Sequence, residues 1–315
     1  MVHIYDIMEV KISIAKDNKE RILNLISELV DAEDDKIKSN NSQDSWLAPK
    51  ATLSSYLGIP ENFDTKLLVQ PKLEKSLIGS WFMFNSFFVG KAMLRVLANA
   101  LNREKMGYID VDILAQLSYD CFKSAELSKY RGFPKDKKHH KYEKSNIDKL
   151  KYFVLTPFAD MGLIMIKKDD ENDKVFLTNA GLDFLNLKNP VLDEHKQFPN
   201  FSKLEQKFII NYLKSINTDY KEYSVLKETA ALIRTKKDIS YQDIVAWFEK
   251  NSDIIDYLYD GSRAQKENKS KNDKDFKSYL HHAAQSFASS RIALLRELGI
   301  LSDKRGEYKI ISNDL

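Results

Sequence analysis

The sequence predicts a mainly helical α+β chain. An N-terminal helical domain (residues 1–104) is followed by two winged-helix domains with short β wings (105–188 and 200–315). Three observations carry this. Residues 147–162 have helix-period apolar spacing and end in Gly162. An apolar run, Leu163-Ile164-Met165-Ile166, then meets an acidic stretch, Asp169-Asp170-Glu171-Asn172-Asp173, and a return run, Val175-Phe176-Leu177. The same order recurs near the C-terminus, where a helix over 275–297 leads through Leu298-Gly299 into Ile300-Leu301, a Gly-containing turn and Tyr308-Lys309-Ile310-Ile311. Finally, the chain is 30% charged, rich in Lys and poor in Gly and Pro, which favours helix over an all-β fold.

Each element has a local cause. Residues 17–34 place Ile22, Leu23, Leu25, Ile26 and Leu29 at helical spacing, and an acidic run closes the pattern. Residues 36–72 carry Pro49, Pro60 and Pro71 and read as loop. Residues 76–101 read as one strong helix or a pair, with Trp81, Phe82, Phe84, Phe87 and Phe88 as core. Residues 111–122 form the next helix. Ser145 is placed to cap a helix from Asn146, in which Pro157 bends or divides the run. Thr178 is placed to cap a further helix by accepting from a backbone N–H. Pro190 and Pro199 mark a linker. Amphipathic helices follow at 203–216 and 223–236, and Ser240 caps a third. Residues 260–274 are a polar insertion before the long last helix, and Gly299 suits a left-handed cap at its end.

Composition excludes several classes. At 315 residues, about two to three domains are expected. Apolar content of 43% rules out general disorder. The single cysteine, Cys121, lies on a helix-period run and suits a packed position. No internal disulfide is possible, and no Cys/His spacing suits zinc. With ten glycines and no Gly-rich phosphate loop, no cofactor is expected. No secretory signal is visible. Residues 77–90 reach about two-thirds of a spanning length and precede Lys91 and Arg95, so they read as a buried helix and not a membrane span. The expected location is cytoplasmic.

Net charge is only +3, so its distribution matters more. Residues 1–64 hold 12 acidic against 7 basic residues, a net of −5. Residues 128–151 hold 9 basic against 3 acidic, a net of +6. Residues 261–277 hold 6 basic against 3 acidic, a net of +3. The two basic segments each precede the second helix of a unit. Basic loops there would attract phosphate regardless of sequence. The same residues also read as solvated loops of a Lys-rich chain.

The candidate DNA-binding residues follow. In the first unit they are Arg131, Lys137, Lys138, Lys141, Asn146, Lys149 and Lys151. In the second they are Lys277, Ser278, His281, His282, Gln285 and Ser289 on the long helix, with Lys304 and Arg305 on the wing. Ser278, His281, His282, Gln285 and Ser289 share one helical stripe, which could present Gln and His to base edges. The bland alternative is a solvated helix face. The pairs His139-His140 and His281-His282 are poor chelates, because adjacent helical side chains diverge.

Several segments together suggest a family. They are Gly162-Leu163-Ile164 with Val175-Phe176-Leu177-Thr178-Asn179-Ala180-Gly181, then Leu204-Glu205-Gln206-Lys207-Phe208-Ile209-Ile210-Asn211-Tyr212-Leu213, Ile239-Ser240-Tyr241-Gln242-Asp243-Ile244, and Ser290-Arg291-Ile292-Ala293-Leu294-Leu295-Arg296-Glu297-Leu298-Gly299-Ile300-Leu301. Over residues 105–311 the chain resembles the DNA-recognition region of type IIS restriction endonucleases, in which winged-helix-like subdomains lie in succession along the target duplex. The resemblance implies sequence-specific binding of double-stranded DNA, as the recognition module or subunit of a restriction endonuclease. It departs from that family in one respect. A cleavage domain, with a carboxylate pair and Lys on adjacent strands, normally follows recognition. Here nothing of the kind is expected after the second wing, so a separate cleavage subunit or domain is the implied partner. Asp193-Glu194-His195-Lys196 has the Glu-x-Lys spacing but sits in a Pro-bounded linker, and no catalytic residue is assigned. A protein-interaction scaffold and a nuclease with an unrecognised site are the other readings.

Overall fold

The computed structural model describes residues 53–70, 86–130, 133–134, 147–169, 172–196, 199–216, 222–236, 238–259, 270–304 and 307–315. The helix expected at 17–34, the aromatics Trp81, Phe82 and Phe84, the Ser145 cap and most of the 260–274 insertion lie outside them. The chain is mainly helical, with two small antiparallel sheets. It divides into two compact units that interleave along the sequence. The first gathers Met1–Leu68, Met93–Lys151 and Ile166–Leu177. The second gathers Val69–Ala92, Tyr152–Met165 and Thr178–Leu315.

Helix α1, Phe87–Glu104, gives its first six residues to the second unit and the rest to the first. Every residue of α1 through Leu101 is buried, including Lys91, Arg95 and Asn99. A buried polar group is costly unless hydrogen-bonded. These three meet that demand by holding backbone carbonyls at the ends of other helical segments. In the first unit, Arg95 donates to the Leu57 carbonyl at 2.9 Å, and Asn99 donates to Tyr56 and Gly58, both at 2.9 Å.

The rest of the first unit holds β1 (Ile109–Asp110) and α2 (Val111–Ser124), which buries Cys121. Beyond α2, residues 147–150 are helical. The backbone then widens into a π-helical turn, Lys151–Leu155, before α3, Thr156–Asp160. Pro157 explains the widening, since it has no N–H to offer Phe153 and its ring crowds the preceding turn. The expected division of this helix at Pro157 is therefore a change of pitch. Strands β2 (Ile164–Lys167) and β3 (Lys174–Leu177) follow, and the sheet order is β1-β3-β2. β1 pairs with β3 in antiparallel register, Ile109 opposite Val175.

In the second unit, Gly162 takes φ 74°, a left-handed conformation suited to glycine at a helix end. Thr178 caps α4, Asn179–Asn186, by accepting from the Gly181 N–H, and donates its own hydroxyl proton to the Gly162 and Leu163 carbonyls. Lys91 lies against the far end of α4. Its ammonium donates to the carbonyls of Phe184 at 2.8 Å and Leu187 at 2.7 Å, and sits 2.6 Å from the Glu205 carboxylate. Glu205 closes a capping box with Ser202 at the start of α5, Lys203–Ser215. Helices α6 (Glu222–Thr235), α7 (Tyr241–Lys250), α8 (Ser252–Tyr259) and α9 (Lys274–Glu297) complete the helical part. Ser240 caps α7 in a second capping box. Helix α8 is an addition to the sequence reading. Gly299, at φ 68°, ends α9, and β4 (Leu301–Lys304) pairs with β5 (Glu307–Ile310) in register Leu301 opposite Ile310. Buried between α6 and α9 is an ion pair, Glu222 with Arg291, whose side chains are both 0% exposed. Burial pushes the Glu222 carboxyl up to about 7 against the lowering influence of Arg291. Among the described residues, no helix is long and apolar enough to cross a membrane.

Candidate nucleic-acid interface

Helix α9 runs from a capped start to a hairpin. Asp273 accepts from the N–H groups of Asp275 and Phe276, which fixes where the helix begins. Phe276, Leu280, Ala283, Ala284, Phe287 and Ala288 are buried and set the core face. That choice leaves Lys277, Ser278, His281 and His282 exposed in the first half of the helix. Gln285 and Ser289 are half-buried, because α7 lies along their side. The Tyr241 hydroxyl is 2.8 Å from the Gln285 carbonyl and 2.9 Å from Ser289 Oγ. The expected stripe therefore divides. Its first half meets solvent, while its second half is engaged with a neighbouring helix.

Two members of the stripe are also held in place. His281 Nδ1 pairs with the Glu249 carboxylate of α7, and His281 Nε2 lies 3.1 Å from Gln285 Nε2. Glu249 does not figure in the sequence reading, and Tyr241 figures there only as part of a helical segment, without its contacts to Gln285 and Ser289. Both contacts join residues more than thirty positions apart, so no local spacing reveals them.

Basic residues around α9 have acidic neighbours. Lys271 bonds Asp256, and Lys236 bonds Asp243. The Lys236 hydrogen bond, then those of the Ser240 side chain and backbone, hold the Asp243 carboxyl well below the usual carboxylate range. Lys304 pairs through its backbone with Glu307 at the end of the hairpin, and Arg305 lies outside the described residues.

The first unit presents its own set. Lys149 is exposed on the helical turn 147–150. Lys151 is only 19% exposed, with its ammonium 2.7 Å from Asp112 and 3.7 Å from Asp148. Asp112 on α2 is thus a partner the sequence reading misses. On the hairpin, Lys167 and Lys168 are exposed, whereas Lys174 bonds Asp169. That bond raises the Lys174 pKa, with Tyr108 adding to the effect. Part of the hairpin's positive charge is thus already neutralised by the acidic stretch that forms its turn. Arg131, Lys137, Lys138, Lys141 and Asn146 lie outside the described residues.

The Asp193–Lys196 segment is a turn. Asp193 accepts from the Asn189 N–H at 2.6 Å, Glu194 pairs with Lys196 at 2.5 Å, and His195 takes φ 54°. No strand holds Glu194 and Lys196 on one side. Among the described residues, no group of three or more His, Cys, Asp or Glu side chains is gathered to hold a metal ion. Comparison with known proteins gives no relatives: no family model, no curated protein and no solved structure matches the chain.

Proposed function

We propose that this chain binds duplex DNA through two winged-helix units and serves as the sequence-recognition part of a restriction endonuclease, with cleavage supplied by another domain or subunit. One observation carries the reading. A long capped helix, α9, follows two short helices, leads directly into the β4–β5 hairpin, and exposes Lys277, Ser278, His281 and His282 in its first half. In helix-turn-helix proteins the second helix enters the major groove and meets base edges with its N-terminal residues, which is where these side chains stand. Lysines on the flanking loops then hold phosphate, which positions the protein without reading sequence.

The earlier half of the chain supports the same reading by its element order. Helix, short strand, helix, helix and hairpin occur in turn, and the short strand β1 pairs with the return strand β3. The assignment to a restriction system rests on the sequence resemblance alone.

Titration of a labelled duplex pool with the full chain tests the reading. Neutralising about six phosphates lowers affinity by roughly a thousandfold between about 50 and 200 mM salt. A steep fall of that order, with selection of a consensus from the pool, is the expected result. Absence of binding, or affinity indifferent to salt, rejects it.

A further inference from the structure

Glu249, His281 and Gln285 form a chain of contacts from α7 to α9, on which His281 is exposed and Gln285 half-buried. The proton positions along it follow from donor chemistry. A glutamine NH2 group only donates, and His281 Nε2 faces Gln285 Nε2 at 3.1 Å. His281 Nε2 must therefore accept, so the imidazole carries its proton on Nδ1. Nδ1 is the nitrogen directed at the Glu249 carboxylate, which can only accept when ionised. Each link thus requires the next.

The consequence falls on the Gln285 amide. One of its two N–H bonds is committed to His281. What remains is Oε1 and the other N–H, an acceptor and a donor in the plane of the amide. That pair matches the N6 donor and N7 acceptor of adenine in the major groove. Turning the amide over would set Oε1 against the His281 Nε2 lone pair, two acceptors facing each other, and only a second proton on the imidazole would restore the contact.

We infer that Glu249, acting through His281, fixes the Gln285 amide in the orientation that reads adenine, so that Glu249 and His281 are positioning residues for base specificity. This rests on the DNA-binding reading above. It goes further in naming the base and the residues that set the choice.

The test uses the full chain and duplex DNA. A consensus is selected from a random pool, and each position is then re-scored with all four bases for wild type, Gln285→Ala, Glu249→Ala, Glu249→Gln and His281→Ala. A bidentate contact discriminates by roughly 5- to 150-fold. One adenine position is expected to lose preference on that scale in Gln285→Ala, and to lose a large part of it in Glu249→Ala and His281→Ala. Glu249→Gln keeps an acceptor oxygen for His281 Nδ1–H and is expected to retain the preference. A role in packing alone does not predict that rescue. Nitrogen-edited NMR of the free protein provides a second readout. It is expected to show His281 as the Nδ1–H tautomer in wild type and Glu249→Gln, and all four variants should share the dispersed spectrum of the wild type.

The outcomes separate the two readings. If no duplex is bound, the DNA reading fails and this inference with it. If duplex is bound with a consensus, but the adenine preference survives Glu249→Ala and His281→Ala, the positioning role is rejected while DNA binding stands. An Nε2–H tautomer at His281 also rejects it.

Discussion

The Glu297 carboxylate accepts a hydrogen bond from the backbone N–H of Phe87 at 2.7 Å, joining the last residue of α9 to the first residue of α1 across 210 positions of sequence. The other carboxylate oxygen accepts from the Ser86 hydroxyl at 2.8 Å, and Ser86 Oγ in turn accepts from the Val89 N–H. The open N–H groups at the start of α1 are thus satisfied partly from a distant helix. A helix N-terminus favours negative charge, yet enclosure of this carboxyl group prevails and pushes it up to about 7. Glu297 as a whole residue is partly exposed.

That shift has a definite sign. A carboxyl group titrating near 7 in the folded protein and near its ordinary value when unfolded binds its proton more tightly in the folded state. Its stabilising contribution is complete below the ordinary carboxyl range and is lost as pH rises through about 7. Glu222 acts in the same direction. Unfolding free energy is expected to fall between about pH 5 and pH 8, with Glu297 supplying up to about 3 kcal/mol of that fall. Urea titrations across this range should give a shallower pH dependence for Glu297→Gln. Identical slopes for variant and wild type would show that Glu297 is not the titrating group.

Arg291 and Glu222 yield a sharper prediction, because neither side chain reaches solvent. Arg291 also donates to Ser290 Oγ at 2.8 Å and lies 4.8 Å from the Phe287 ring centroid. Removing Arg291 leaves the Glu222 carboxyl buried without its partner, at a cost whether it keeps its charge or takes up a proton. Arg291→Met alone should destabilise by about 3–5 kcal/mol, and adding Glu222→Leu should restore most of the loss. A double variant no more stable than the single would show that the arginine acts by shape and not by charge.

What the sequence made legible was the chemistry of helix ends. Thr178, Ser240 and Gly299 announce helix boundaries by side-chain type alone, and each stands at a boundary in the structure. Strand β1 has two residues and carries no periodicity that could be read. The buried polar residues of α1 had a readable signal, since Lys91, Arg95 and Asn99 recur every four positions within an apolar helix. Their targets, carbonyls at helix ends and Glu205, depend on tertiary contacts. The candidate interface divides the same way. Exposure of Ser278, His281 and His282 follows from the apolar period of α9, whereas the tie from Glu249 to His281 does not.

Gly90 shows how tightly α1 is seated in the second unit. A Cβ added there would run into the Phe158 ring. Both residues are buried, with Phe158 1% exposed, so the ring has little room to withdraw. Gly90→Ala should cost up to about 2 kcal/mol net, because overpacking of about 1–3 kcal/mol is only partly offset by a helix-propensity gain of about 1 kcal/mol. Phe158→Leu in the same chain should recover part of the loss. Thermal unfolding of the two variants checks this, and a stabilised Gly90→Ala protein would refute it.

Lys149 and Lys151 are two positions apart, yet their surroundings assign them different parts in duplex binding. Lys149 is exposed, whereas Lys151 lies against Asp112 and Asp148. An exposed lysine that meets phosphate releases about one counterion, so Lys149→Ala should weaken binding to all sequences and reduce the salt slope by about 1. Lys151→Ala should change the slope less, because that charge is already balanced inside the protein. Asp112→Asn removes the nearer carboxylate and turns the comparison around. It should make Lys151 available to phosphate and steepen the salt dependence, and Lys151→Ala added to it should cancel the gain. Salt titrations of duplex binding for these four proteins decide the matter. If Lys149→Ala leaves the slope of the wild type unchanged, the turn at 147–150 does not touch the backbone of the duplex, and the first unit is not a DNA contact at this helix.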